Sequence, residues 1–326
     1  MRLAFELSGE SNSIPKAEIL ALFSGTVILQ TDRVLVMDVP SYDAKLGDRL
    51  AMTHTTIEIK DVCAQELASI YRAARHIELP NVKIAVRAKR IGLGLQSTAV
   101  EAMIGQALCE RGYKIDLTNP DLVIKALLSD DVCIIGTTLF SANRSGFEAR
   151  RPHLRPFFYP GVLLPRVARA TVNLTGVNAG ELLFDPFCGT GGILLEAALT
   201  GVRVVGSDVD SRMIWGTRVN LDYYHVGGEL LVQDAKQLGF SDKSIDAVVT
   251  DIPYGRSVSI CAPSLNQLKE EAFREIFRVL KGGRRAVLIS HDPIADELAS
   301  AGFAIEQRHA QYVHKSLTRE ITVARK

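Results

Sequence analysis

The sequence predicts an α/β protein in two parts, an α+β N-terminal half and a C-terminal half built as a doubly wound, mainly parallel sheet with an antiparallel hairpin on one edge. Three observations predict it. From about residue 180 onward, short β-branched runs alternate strictly with helical stretches, the pattern of a parallel sheet covered on both faces. Before residue 145 the strands and helices come in shorter mixed groups with no Gly-rich nucleotide loop. Between the two, residues 144–169, RSGFEARRPHLRPFFYPGVLLPRVAR, hold four prolines and six arginines against one acid. Such a stretch interrupts regular structure and reads as an exposed basic connector.

Taken in order, RLAFEL alternates as a strand, and SIPKAEILALFSG is a helix with Pro15 in its first turn and Gly25 as its terminator. TVILQTDRVLVMDV reads as two strands about a turn. Near residue 50 the pattern restarts with THTTIEI as a strand, AQELASIYRAARHI as a helix, KIAVRAKR as a strand and STAVEAMIGQALCERG as a helix closing on Gly112. LVIKALL and VCIIGTTLF form a hairpin around SDD. Two small subdomains, 1–50 and 51–145, are therefore expected before a linker at 146–168 and a C-terminal domain at 169–326. In that domain the helix PRVARATVNLTGV leads into LLFD, GGILLEAALTG, VRVVGSD, SRMIWGTRVNLDYY, LLVQD, IDAVVTD, LNQLKEEAFREIFRVLKGG, RRAVLIS and DPIADELASAG. Two alternating runs in the tail AIEQRHAQYVHKSLTREITVAR supply the edge hairpin.

At 326 residues the chain is long enough for two cores. With 38 basic against 37 acidic residues the net charge is +1, so any nucleic-acid contact has to come from local basic patches and not from the overall field. Five cysteines, Cys63, Cys109, Cys133, Cys188 and Cys261, are scattered with no CxxC and no Cys/His cluster, so no metal site and a reducing compartment are expected. The start MRLAFELSGE lacks the apolar core of a signal peptide, and no apolar run approaches the roughly 18 residues of a membrane span. A soluble, cytoplasmic protein with no membrane contact is expected.

The chemistry is concentrated in two loops. LLFDPFCGTGGILLEAA places Asp185 at a strand end ahead of a Gly-rich turn into a helix, the ligand crevice of an open α/β sheet. A dinucleotide fingerprint needs Gly or Ala three residues beyond Gly191, where this chain has Leu194. S-adenosylmethionine, which carries no phosphate, needs instead a close backbone turn and acids for its hydroxyls and amines. Asp208 closes the next strand in VVGSDVD, placed to accept two ribose hydroxyls, and Asp234 closes the third in LLVQDA, placed to accept an adenine amine. Phe187, Gly189, Gly191 and Val209 complete the candidate set. Asp210 competes for the ribose but is also placed to cap the following helix. Cys188 could be taken for a nucleophile, yet no resolving cysteine or base stands beside it, and it reads as a small residue filling the turn.

DIPYG, from Asp251, ends the fourth strand over the same crevice. A purine amine is a poor nucleophile because its lone pair is delocalised into the ring. A carboxylate from Asp251 and the carbonyl of Ile252 can accept its two hydrogens and leave the lone pair aimed at a methyl group. Tyr254 offers a stacking face, and Pro253 stiffens the turn and extends Ile252.

DPFCGTGG, DIPYG and YVHKSLTREITV together resemble the archaeal tRNA guanine-N2 methyltransferases that modify guanosine 10. The linker RRPHLRPFFYPGVLLPRVARATVNL is similar to that family's linker, and KIAVRAKR with IDLTNPDLVIKALL resembles a THUMP domain, with a ferredoxin-like piece at 1–50. The resemblance implies a Rossmann-like class I methyltransferase fold, N2-methylguanosine with N2,N2-dimethylguanosine as a further product, catalysis by Asp251 and Tyr254, and cofactor binding by Asp185, Gly189, Asp208 and Asp234. It places tRNA contacts at His314, Lys315 and Arg319 of the tail. Arg87, Lys89 and Arg90, with Arg150, Arg151 and Arg155 of the linker, are further candidate phosphate contacts. It further implies a small zinc-binding activator subunit as partner. One departure is Ile252, where the family has a first proline. Alternatives are a THUMP-bearing enzyme for guanosine 6, an adenine-amine DNA methyltransferase sharing the acid, proline and aromatic signature, and a tRNA-binding module without chemistry.

Overall fold

The computed structural model describes residues 1–253, 265–314 and 317–326, with the side chain of His314 outside that description. The chain forms two compact units. The first holds Met1–Lys16, Phe23–Asp48 and Thr53–Ala142, and the second Ala17–Leu22, Arg49–Met52 and Asn143–Lys326. Among the described residues no helix is long and apolar enough to cross a membrane.

Through residue 52 the elements are β1 (Arg2–Leu7), α1 (Ile14–Leu22), β2 (Thr26–Gln30), β3 (Val34–Asp38) and α2 (Ala44–Gly47). There follow β4 (Thr53–Ala64), α3 (Leu67–His76), β5 (Lys83–Ile91), α4 (Ser97–Cys109), β6 (Lys114–Ile115), β7 (Leu122–Ser129) and β8 (Val132–Ser141). The strands make one eight-stranded sheet in the order β2-β3-β1-β4-β8-β7-β5-β6. The sequence pattern divides this half near residue 50, but β4 pairs antiparallel with β1 on one side and β8 on the other, so a single sheet runs through both parts. The pattern restarts there because the chain leaves the sheet, not because the sheet ends. β7 and β8 form the hairpin read from LVIKALL and VCIIGTTLF. Ile70, Ala74, Val100 and Ile104 of α3 and α4 pack on Ile84, Val86 and Ile124 of β5 and β7.

After α5 (Arg144–Ala149) and a single 3-10 turn (Pro152–Leu154), the second unit carries α6 (Pro165–Leu174), β9 (Leu182–Asp185), α7 (Gly192–Ala198), β10 (Arg203–Asp208), α8 (Ser211–Tyr223) and β11 (Glu229–Val232). β12 (Ala247–Asp251), α9 (Leu265–Val279), β13 (Arg285–Ser290), α10 (Ala295–Ser300), β14 (Ala304–His314) and β15 (Leu317–Arg325) complete it. The sheet order is β11-β10-β9-β12-β13-β15-β14. β11, β10, β9, β12 and β13 are parallel, whereas β15 is antiparallel to β13 and to β14. The chain order reverses between β9 and β12, and the carboxyl ends of strands flanking such a switch point open the crevice in which open α/β sheets bind ligands.

Segments 17–22 and 49–52 count with the second unit for a reason in their chemistry. Glu18, fully buried, accepts the N–H groups of Ala51 and Met52 (both 2.9 Å) and the Asn173 amide (2.8 Å). Asn173 also donates to the Arg49 carbonyl (2.9 Å) and accepts from Arg49 Nε (3.2 Å). Burial pushes the Glu18 carboxyl above its ordinary range, opposed by these hydrogen bonds. Glu18 and Asn173 take these hydrogen bonds from and to segments 17–22 and 49–52, so the segments cannot leave without orphaning buried polar groups.

Candidate active site

A cavity of about 340 Å³ opens at the switch point, with walls supplied by the β9–α7 loop, the ends of β10, β11 and β12, and residues 159–163 of the linker. Asp185, Phe187, Gly189, Asp208, Val209, Asp234, Asp251, Ile252 and Pro253 all line it. Gly191 stands behind the wall. It opens α7 with φ of 75°, a left-handed conformation, and a Cβ there would come within 2.6 Å of Thr217 Cγ2, so this position requires glycine for both conformation and space.

The loop is held from behind by side chains that sequence patterns do not single out. Thr217 donates to the Gly189 carbonyl (2.7 Å), and Asn220 donates to the Thr190 carbonyl (2.9 Å). Asp208 accepts the N–H of Gly189 (3.0 Å) and of Asp210 (2.9 Å), latching the loop to the end of β10. Asp210 caps α8 by accepting from Arg212 N–H (2.8 Å), the role its position suggests. Asp234 lies two residues past the end of β11 and accepts from Lys236 N–H (3.0 Å). Cys188 is buried, and burial pushes its thiol well above the ordinary range, which suits a filler and not a thiolate nucleophile.

Three carboxylates share this low-dielectric region. Burial raises Asp185 to about 7, against hydrogen bonds from Thr250 (2.7 Å) and Phe187 N–H (3.1 Å), with the charges of Asp251 and Asp208 pushing the same way as burial. Burial likewise raises Asp251 to about 7, opposed by the charge of Arg319, and raises Asp208. Asp251 Oδ1 and Gln233 Nε2 are buried without a hydrogen-bond partner among the described residues. Orphaned polar atoms on a cavity wall are groups left for a ligand. Among the described residues the cavity cations are Arg212 and Lys236, paired to Asp210 (3.1 Å) and Asp234 (3.3 Å). Carboxylates at three strand ends, apolar walls and cations already paired fit a nucleoside ligand without phosphates, as S-adenosylmethionine is.

The linker departs from its sequence reading. It is folded onto the second unit and forms one cavity wall. Phe157 N–H donates to Asn220 Oδ1 (3.0 Å) and its carbonyl accepts from Asn220 Nδ2 (2.9 Å). Its ring occupies the space that a side chain at Gly216 would fill. The signal for this was the apolar run FFYPGVLL inside an otherwise basic stretch.

Two linker arginines are therefore corrected as phosphate contacts. Arg150 donates to both oxygens of the buried Glu196 (2.7 and 3.1 Å), which Arg169 also pairs (2.9 Å). Arg155 is 5% exposed and donates to the Arg150 carbonyl (3.0 Å). Arg151 is exposed and pairs with Glu148 (2.6 Å). Arg319 is corrected as well: it is 3% exposed and donates from Nη2 to the Gly161 carbonyl (2.6 Å). A guanidinium so buried faces protein groups and not a phosphate. Arg87, Lys89 and Arg90 are exposed on β5, with Arg87 donating to the Val86 and Leu117 carbonyls (3.0 and 2.8 Å). Tyr254, Lys315 and the His314 side chain lie outside the described residues.

Ile252 shows what its departure from proline does locally. Its N–H donates to the Ile289 carbonyl (2.9 Å), a bond that proline cannot make, and its side chain is buried in the core beside Phe273 and Leu288.

Comparison with known proteins gives a consistent picture. Residues 152–321 match the family described as RMKL-like, methyltransferase domain, and residues 56–138 match the THUMP domain. The chain is 36% identical over 339 aligned positions, covering 99% of each chain, to the tRNA (guanine(10)-N2)-dimethyltransferase of Methanothermobacter thermautotrophicus. Among solved structures it is similar to TrmN from Thermus thermophilus, with a TM-score of 0.58, 21% identity and full coverage of both chains. It is also similar to SMU.472 complexed with SAH, with a TM-score of 0.51, 14% identity, and 99% and 97% of the two chains covered. The two structures share the fold.

Proposed function

The chain belongs to the archaeal tRNA (guanine(10)-N2)-methyltransferase family, and on that premise we propose that it methylates the exocyclic N2 amine of guanosine 10 in tRNA from S-adenosylmethionine, giving N2-methylguanosine and then N2,N2-dimethylguanosine. The observation that carries this reading is the Oδ1 of Asp251, buried and without a partner among the described residues, on the wall of a cavity lined by Asp185, Asp208 and Asp234. Bound cofactor supplies an electrophilic methyl group. Asp208 and Asp234 are the proposed acceptors for its hydroxyls and amine, with Phe187 and Val209 as apolar wall. Asp251 Oδ1 accepts one hydrogen of the guanine amine and the Ile252 carbonyl the other, which relocalises the nitrogen lone pair. The Ile252 peptide is pinned by its bond to Ile289 and by the buried side chain. Tyr254 is assigned the stacking face from its place in DIPYG.

Asp208→Ala is expected to weaken S-adenosylmethionine binding by about 30-fold to over 100-fold, or about 2–3 kcal/mol, because the ligand and the Gly189 loop lose one shared acceptor. Calorimetric titration checks it, and unchanged affinity would remove Asp208 from the cofactor site.

The functional test is mass analysis of nucleosides from tRNA incubated with the protein and S-adenosylmethionine, with N2-methylated guanosine mapped to position 10. Methylation at position 6, or on adenine of DNA, would replace the reading. The THUMP match supports a role for Arg87, Lys89 and Arg90 on tRNA phosphates, with the single-stranded 3′ end as the anchor. Trimming that end should lower the rate on the order of tenfold at fixed salt, and an unchanged rate would move specificity into the crevice. Deleting residues 1–145 is a poorer test, because Glu18 and Arg49 satisfy Asn173 in the second unit.

The partner proposed beside tRNA is a small zinc-binding activator. The sheet edge at β11 supports it: Leu231 and Val232 are exposed there, with Trp215 exposed on α8. An apolar open edge invites strand addition. The same methylation reaction, run with and without such an activator, reads this part of the proposal.

A further inference from the structure

We infer that Arg319 is a positioning residue for this reaction, a guanidinium anchored on the linker at Gly161 that serves as the counter-charge for Asp251. The inference rests on the proposed role of Asp251 as amine acceptor and adds the element that maintains it.

Strand register brings the pair together across the sheet. Asp251 of β12 pairs with Ile289 of β13, and Ile289 pairs with Ile321 of β15. Arg319 precedes Ile321 by two residues and so shares its face of the sheet. Because β15 runs antiparallel to β13, with Ser290 opposite Glu320, Arg319 falls one step past that row, toward the strand ends where the cavity opens. There it is 3% exposed and Nη2 bonds the Gly161 carbonyl at 2.6 Å. Gly161 and Asp251 both line the cavity. A guanidinium taken out of water by an edge hairpin is costly unless a carboxylate faces it, and its charge acts on Asp251. One side chain thus ties the linker wall to the edge hairpin, and its charge reaches the strand that carries the acceptor.

The chemical consequence follows from what opposes the charge on Asp251. Burial raises it to about 7, and among the described residues the charges coupled to it are Arg319 from β15, which lowers it, and Asp185 from β9, whose own carboxyl is raised by Asp251. Its β13 neighbour Ile289 carries no charge. The ionised carboxylate is the stronger acceptor of an amine hydrogen, and protonation turns one of its oxygens into a donor. Activity therefore rises as pH rises through the Asp251 transition, and loss of Arg319 moves that rise to higher pH.

The test is the pH profile of single-turnover methyl transfer to tRNA, at saturating tRNA and S-adenosylmethionine, for the wild type, Arg319→Gln, Arg319→Lys and Asp251→Ala. Arg319→Gln should displace the rising limb upward by about one pH unit or more, with the rate recovering at high pH. Arg319→Lys, which keeps the charge but not the planar fork, should leave the limb in place at a lower rate. Cofactor affinity, titrated calorimetrically over the same pH range, follows Asp185 separately and should be the same in the wild type and both Arg319 variants. A uniform loss of rate in Arg319→Gln with the limb unmoved would overturn the inference and leave Arg319 a packing residue. Should Arg319→Gln fail to fold, Arg319→Met, which also removes the charge but keeps the apolar stem, is read in the same way: a limb displaced upward supports the inference and an unmoved one overturns it. An active Asp251→Ala would instead overturn the proposed reaction, so the two failures are distinguishable.

Discussion

Asp251→Ala is expected to lower single-turnover methyl transfer on the order of 10³-fold while leaving S-adenosylmethionine affinity within a few-fold. The reason is where the carboxylate sits. Its Oδ1 is buried at the end of β12 with no partner among the described residues, whereas the loop that approaches the cofactor is held by Asp208, Thr217 and Asn220. Removing Asp251 also removes one of the charges that raise Asp185, so the remaining carboxylate ionises more readily and the cofactor side of the cavity keeps its anion. Rapid-quench transfer with radiolabelled methyl donor, paired with calorimetric titration of the cofactor, measures both quantities. A variant that retains a tenth of the wild-type rate, or loses cofactor binding in parallel with the rate, would remove Asp251 from the acceptor role.

Glu196→Ala is expected to destabilise the second unit by about 3–5 kcal/mol. Glu196 is fully buried in α7 and accepts two hydrogen bonds from Arg150 and one ion pair from Arg169, while its charge also acts on Arg155. Its removal leaves two or more guanidinium groups in a poorly solvated space with one backbone carbonyl, at Gly146, still bonded to Arg150. The linker then loses one of its attachments, with Phe157–Asn220 and Gly161–Arg319 remaining, and the wall at 159–163 is less firmly held. Urea unfolding compares the variant with the wild type, and a loss below about 1 kcal/mol would mean that the arginines find other acceptors or water. Cofactor affinity should fall in the same variant at temperatures where it remains folded.

Much of the second unit is legible in the sequence because its signals are local. Asp185, Asp208 and Asp251 each close a short, mainly apolar run, and the run itself sets the strand, so the acid falls at the strand's carboxyl end. Asp234 is displaced two residues beyond its strand because β11 is short and exposed at the sheet edge. The tail hairpin is likewise readable from alternation, although its order is not: β15 inserts between β13 and β14, a choice made by pairing partners distant in sequence. In the first half, alternation locates the individual strands well, but no property of residues 1–50 announces that β1 pairs with β4.

By itself the sequence determined the doubly wound sheet, the Gly-rich turn after Asp185, and the succession of acids at strand ends, because period, turn chemistry and strand termini depend on neighbouring residues. Tertiary structure alone decided which cations face solvent. Arg150 and Arg319 read as basic surface in the chain, and each is withdrawn by a group far from it: Glu196 lies 46 residues beyond Arg150, and Gly161 lies 158 residues before Arg319. A guanidinium is buried only where carboxylates and carbonyls converge to replace water, and that convergence exists only once the sheet, the linker and the hairpin are folded together.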